Sequence, residues 1–120
     1  MMRFTAASLV LFSVLRGSIA SAADNAPTYN RDVRPILERN CTGCHRPGQI
    51  GPINFTSYET TRPWAMQIKQ VVAAKKMPPA VTSPHYIVFT KDDALSQGEI
   101  DVIVRWVDAG APEGAVERSR

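Results

Sequence analysis

The chain has 120 residues, of which 44% are hydrophobic and 21% charged. This is the composition of one globular domain, and it excludes a second domain and a fully disordered chain. Two cysteines are too few for a disulfide-rich scaffold, and a net charge of +3 without any long Lys/Arg run excludes a nucleic-acid-binding arm.

Residues 1–22 read as a secretory signal peptide. Arg3 supplies a short positive start, and Phe4 to Leu15 is a mostly apolar run. That run is too short to cross a bilayer, which needs roughly 20 apolar residues. Ala20-Ser21-Ala22 then places small residues where a signal peptidase cuts. Arg16 interrupts the pattern between the apolar run and the cut, and the competing reading is an uncleaved anchor or a core helix. Cleavage after Ala22 removes two of the 14 basic side chains, Arg3 and Arg16, and none of the 11 acidic ones. The single domain expected over 23–120 is then close to neutral, exported, periplasmic in a bacterium, and not inserted in a membrane. A domain of this size buries a modest share of its surface and often needs a staple, a metal or a large apolar ligand to complete its core.

The first predicted element is a short helix within Asn30 to Arg39, because Val33, Ile36 and Leu37 recur at helical spacing. Pro35 belongs in its first turn, where the missing N–H costs nothing. Cys41-Thr42-Gly43-Cys44-His45 follows, a C-x-x-C-H motif. Two thiols three positions apart on one turn can form thioethers with the two vinyl groups of a single haem, and the next residue then aims an imidazole at the iron. Cys41 and Cys44 are therefore the expected anchors of one covalently bound haem c, and His45 the expected proximal iron ligand.

Three other readings use the same residues. A Cys41–Cys44 disulfide closes a very small loop and stabilises little. A thioredoxin-like dithiol calls for a βαβ pattern, whereas Pro47, Gly48, Gly51 and Pro52 follow here. A zinc site would recruit Cys41, Cys44, His45 and His85, but adjacent Cys44 and His45 chelate one tetrahedral ion poorly. Gly51-Pro52 is the candidate support for the histidine. A metal-bound imidazole usually donates its second N–H to a fixed acceptor, and the Pro52 carbonyl is the expected one; the bland alternative is an ordinary turn.

A second helix is predicted over Arg62 to Lys75, with Pro63 at its first position after Thr60 or Thr61. Trp64, Ile68, Val71 and Val72 would form its apolar stripe, and Lys75 and Lys76 would stand at its negative end. Met77 opens Met77-Pro78-Pro79 and is the expected distal iron ligand. A residue before proline is held extended, so a thioether is presented from a stiff segment, and methionine opposite histidine raises the reduction potential. The rivals are His85, in the same loop, and Met66, in the helix; the bland reading of Met77 is core filler.

From Lys76 to Leu95 there is no helical period, and Tyr86 to Phe89 is at most a short strand without a partner. The last helix is the clearest. Ser96 and Glu99 form a capping box, Leu95 and Ile100 occupy the two positions of a hydrophobic staple, and Ile100, Ile103, Val104 and Val107 form the buried stripe. Trp106 is expected at the stripe's edge. Gly110 ends the helix in a left-handed conformation and Pro112 prevents its resumption. The tail from Glu117 is charged and expected to fray. The chain therefore reads as all-α, with three to four short helices and long loops.

Taken together, these segments resemble the small mono-haem c-type cytochrome domains of bacterial exported proteins. The matching stretches are Asp32-Val33-Arg34-Pro35-Ile36-Leu37, Cys41 to Gly48, Arg62-Pro63-Trp64-Ala65, Met77-Pro78-Pro79 and Trp106 to Pro112. The resemblance implies the cytochrome c fold, in which the terminal helices cross and loops wrap the haem. It also implies His45 and Met77 as axial ligands, Gly51-Pro52 as the loop behind the histidine, and electron transfer as the role. One departure is Ala80, where related domains carry tryptophan directly after Met-Pro-Pro.

The expected protein is therefore not an enzyme but a carrier of single electrons between redox protein partners, as a monomer or as a subunit of a redox complex. No Ser–His–Asp arrangement is readable, and two histidines leave little for acid–base catalysis or for a small-molecule substrate. The alternatives are a haem sensor or small peroxidase-like enzyme with a labile sixth ligand, and the electron-input subunit of a larger dehydrogenase.

Overall fold

A computed structural model of the chain describes residues 25–79 and 94–116. These residues are all-α, with no strand among them. Residues 1–22, read above as a signal peptide, Ala80, His85, the Tyr86–Phe89 segment and the tail from Glu117 lie outside the described residues. Among the described residues no helix is long and apolar enough to cross a membrane.

The first element opens with a wide turn, Tyr29–Val33, in which the Arg34 N–H donates to the Tyr29 carbonyl five residues back. Asp32 caps it from below by accepting from the Thr28 N–H at 2.7 Å. The turn runs directly into α1, Arg34–Asn40, with Pro35 in the first turn as expected. The wider turn relieves the clash a proline ring makes with the carbonyl four residues before it.

The second helical region begins earlier than its apolar stripe predicts. Ser57 caps α2, Tyr58–Thr61, by accepting from the Thr60 N–H, and the Thr60 side chain reaches back in a reciprocal capping box. Pro63 is thus not the first residue of the helix. It falls inside a 3₁₀ turn, Arg62–Trp64, that separates α2 from α3, Ala65–Ala73. Proline has no N–H to continue an α-helical ladder, and the tighter turn absorbs the break. Ala65, Ile68 and Val72 are the residues α3 buries, while Trp64, expected in the stripe, is 39% exposed.

α3 ends at Ala73 rather than at Lys75. Lys75 adopts a left-handed φ of 55°, its N–H donating to the Val72 carbonyl, and the Lys76 N–H closes on Val71 at 2.8 Å. This is the double closure in which glycine is the usual residue.

α4, Gln97–Asp108, has the predicted cap in full. Ser96 Oγ accepts from the Glu99 N–H at 3.2 Å and the Ser96 N–H donates to Glu99 Oε2 at 2.9 Å. Gly110 (φ 92°) and Ala111 (φ 52°) then turn the chain back across the helix end. Trp106 is not at the edge of the stripe but fully buried, with Val104 only partly covered. Its Nε1–H donates to the Pro112 carbonyl at 2.9 Å, which also receives the Tyr29 N–H at 2.9 Å. Neighbouring tail carbonyls are taken up in the same way: Ala111 by the Tyr58 hydroxyl at 2.8 Å and Glu113 by the Asn30 N–H at 2.9 Å.

The core falls into two clusters. Tyr29, Val33, Leu37, Ala65, Trp106, Val107 and Ala111 form one, while Ile36, Phe55, Ile68, Val72, Ile100 and Ile103 form the other. Cys41 and Val102 pack against both. Adjacent Ile36 and Leu37 diverge into different clusters, so the helix leading into the C-x-x-C-H motif stands at the seam.

Two substitutions test these assignments. Trp106→Phe removes an indole N–H and leaves a void, while the Pro112 carbonyl keeps its backbone partner. It is expected to cost about 2 kcal/mol and to lower the melting temperature by ~10 °C. Lys75→Gly relieves a left-handed lysine and is expected to stabilise by about 1 kcal/mol, measured as a rise in melting temperature.

Candidate functional site: the Cys41–His45 turn and its supporting loop

The motif is one tight turn at the end of α1. The Cys41 N–H closes α1 on the Leu37 carbonyl at 2.8 Å, and the Cys41 carbonyl accepts from the N–H groups of Cys44 (3.1 Å) and His45 (2.9 Å). Cys41, Cys44 and His45 therefore share one backbone turn. Both cysteines are free thiols and partly buried. Burial among apolar side chains pushes the Cys41 thiol up to about 12, with smaller contributions from Cys44 and Glu99. Burial thus keeps the Cys41 sulfur as a thiol and disfavours an attacking thiolate.

The loop after the motif doubles back on it. Arg46–Gln49 forms a turn closed by the Gln49 N–H on the Arg46 carbonyl (3.1 Å), with Gly48 at φ 79°. The Gly51 N–H then donates to the Cys44 carbonyl at 2.8 Å and the Phe55 N–H to the His45 carbonyl at 3.0 Å. Gly51 lies so close that a Cβ there would fall 2.6 Å from the Cys44 oxygen and 2.7 Å from His45 Nδ1. The glycine is required by space rather than by its backbone angle.

His45 Nδ1 lies 3.1 Å from the carbonyl of Ile53. This corrects the expectation of Pro52: the loop turns its acceptor inward one residue later, and Pro52 is exposed. A carbonyl only accepts, so Nδ1 carries the hydrogen, and the neutral tautomer this selects has its lone pair on Nε2. The imidazole also stacks on the Phe55 ring, with centroids 4.6 Å apart and planes at 29°. Ile53 and Phe55 are site residues that sequence reasoning missed. Their signal was two apolar side chains inside a Gly/Pro/Asn/Thr-rich loop, a place where apolar residues need a reason.

Met77 stands just past the closure of α3, its N–H sharing the Val71 carbonyl with Lys76. It is 40% exposed. Met66, its rival, is 55% exposed on α3. His85, the other rival, lies outside the described residues. Among the described residues, no three or more His, Cys, Asp or Glu side chains cluster to hold a metal ion.

Two thiols and an imidazole on one backbone turn are the donor set that a covalently attached haem calls for. Two sulfurs leave one turn, the histidine is tied through Nδ1 with Nε2 free, and Cys41 is rooted in apolar packing. No family model matches the chain, and neither do curated proteins or solved structures.

Two of the three glycines in this region are expected to respond differently. Gly51→Ala forces a Cβ into the Cys44 carbonyl and the His45 ring and should cost about 1–3 kcal/mol. Gly43→Ala meets nothing within 4 Å and should leave the melting temperature unchanged within error.

Proposed function

We propose that this chain is an exported, periplasmic mono-haem c-type cytochrome of the cytochrome c fold, passing single electrons between protein partners. The observation that carries the reading is the C-x-x-C-H sequence folded as one turn, with His45 held through Nδ1 so that Nε2 is left as a ligand. A haem bound there supplies an iron that cycles between ferrous and ferric states.

The chain's own residues account for the rest. Cys41 and Cys44 serve as the thioether anchors, and Cys41, packed between both core clusters, ties its anchor to the interior. His45 is the proximal ligand, and the Ile53 carbonyl strengthens its donor nitrogen by accepting from the opposite side of the ring. Met77 is the distal ligand, presented from a segment that Pro78 and Pro79 stiffen. The packing of the Tyr29–Val33 turn against α4 supports the proposed fold, in which terminal helices meet and loops cover the haem. Ligation that stays the same in both oxidation states keeps reorganisation small, which suits a carrier.

A second reading rests on Ala80, which stands where related domains carry tryptophan directly after Met-Pro-Pro. A ligand that water reaches is displaced more easily, and an opened sixth position would make the protein a haem sensor or a small peroxidase-like enzyme.

The chain is to be expressed with its leader in a host that matures c-type cytochromes. Its spectrum is then recorded oxidised and reduced, with and without carbon monoxide. Haem that survives denaturing electrophoresis, a weak far-red ferric band from methionine sulfur and no response to carbon monoxide are expected. Met77→Ala should abolish the band and admit carbon monoxide. Prompt carbon monoxide binding by the unmutated protein selects the second reading, and absence of covalent haem overturns both.

A further inference from the structure

A hydrogen bond from Nδ1 settles which nitrogen of His45 is tied, but not the plane of the ring. The imidazole can still pivot about the Nδ1···O line unless something flat lies against its face. Phe55 lies there, its centroid 4.6 Å away and its plane inclined by 29°. This is the separation of a stacked aromatic pair. Phe55 is itself only 8% exposed and packs in the cluster of Ile36, Ile68, Val72, Ile100 and Ile103. Its own N–H donates to the His45 carbonyl at 3.0 Å, so its backbone and its ring hold the same residue. For the imidazole to swing, Phe55 would have to leave a cluster built from α1, α3 and α4.

We propose that Phe55 is a positioning residue that fixes the plane in which His45 presents Nε2, while the Ile53 carbonyl fixes the tautomer. The inference rests on the haem ligation by His45 proposed above. Support behind a metal-bound histidine is usually counted in hydrogen bonds. Here a buried aromatic face adds an orientation that a hydrogen bond alone does not supply. The plane of an axial imidazole sets how its π-system overlaps the iron d orbitals, and so the magnetic anisotropy of the ferric state.

The test uses the full, haem-loaded protein. Phe55→Leu keeps an apolar side chain in the cluster and removes the stack. Ile68→Val trims the same cluster and keeps the Phe55 ring. Covalent haem content, melting temperature, the far-red methionine band and the haem-methyl proton shifts of the ferric form are measured for each. Phe55→Leu is expected to keep its haem and its methionine band while the haem-methyl resonances shift and reorder. Ile68→Val is expected to lower the melting temperature and leave those resonances in place. An unaltered haem-methyl pattern in Phe55→Leu, or an equal change in Ile68→Val, overturns the role given to Phe55 while the ligation stands. Unmutated protein without covalent haem overturns the ligation itself, and Phe55's role with it.

Discussion

Trp106 has no exposed surface, its indole packs against Tyr29 with ring centroids 6.1 Å apart, and its N–H donates to the Pro112 carbonyl that also receives the Tyr29 N–H. One oxygen thus joins the start of the helical region, the last helix and the segment after it. The segment can return only because Gly110 and Ala111 take left-handed angles, which reverse the chain at the end of α4. Everything nearer the motif follows from this closure. It holds the Tyr29–Val33 turn against α4, so α1 leaves in a set direction and delivers Cys41 to the seam between the two core clusters.

From that seam outward, the site is built by backbone rather than by side-chain networks. The Cys41 carbonyl gathers Cys44 and His45, and the N–H groups of Gly51 and Phe55 return to the carbonyls of Cys44 and His45. The charged contacts lie elsewhere and are exposed: Arg39 with Glu99 at 3.2 Å between α1 and α4, and Lys69 with Asp108 between α3 and α4. Exposed pairs of this kind contribute little to stability. The surroundings of Cys41 are instead apolar, and they keep its thiol protonated.

Much of the architecture was legible because some signals are local. The Ser96/Glu99 box, the stop at Gly110 and the helix through Ile36 and Leu37 each depend on residues within a turn of one another. The errors came where two local rules competed. Pro63 reads as a helix start, yet Ser57 offered a better cap six residues earlier and the proline was absorbed in a 3₁₀ turn. Trp106 reads as an edge residue on a helical wheel. It is buried because the returning tail covers it, and no wheel contains the tail.

The sequence by itself determined which three groups share the turn of the motif. Spacing along one turn places Cys41, Cys44 and His45 together whatever the rest of the chain does. It also determined α4 and its caps, where partners are covalent near neighbours. Only the tertiary structure decided what stands behind the histidine. The acceptor is Ile53 rather than Pro52, and the face of the ring rests on Phe55, because both depend on the path by which an irregular loop returns to α1. That path is set by the packing of Phe55 against helices distant in sequence, and by a glycine whose missing Cβ allows the approach.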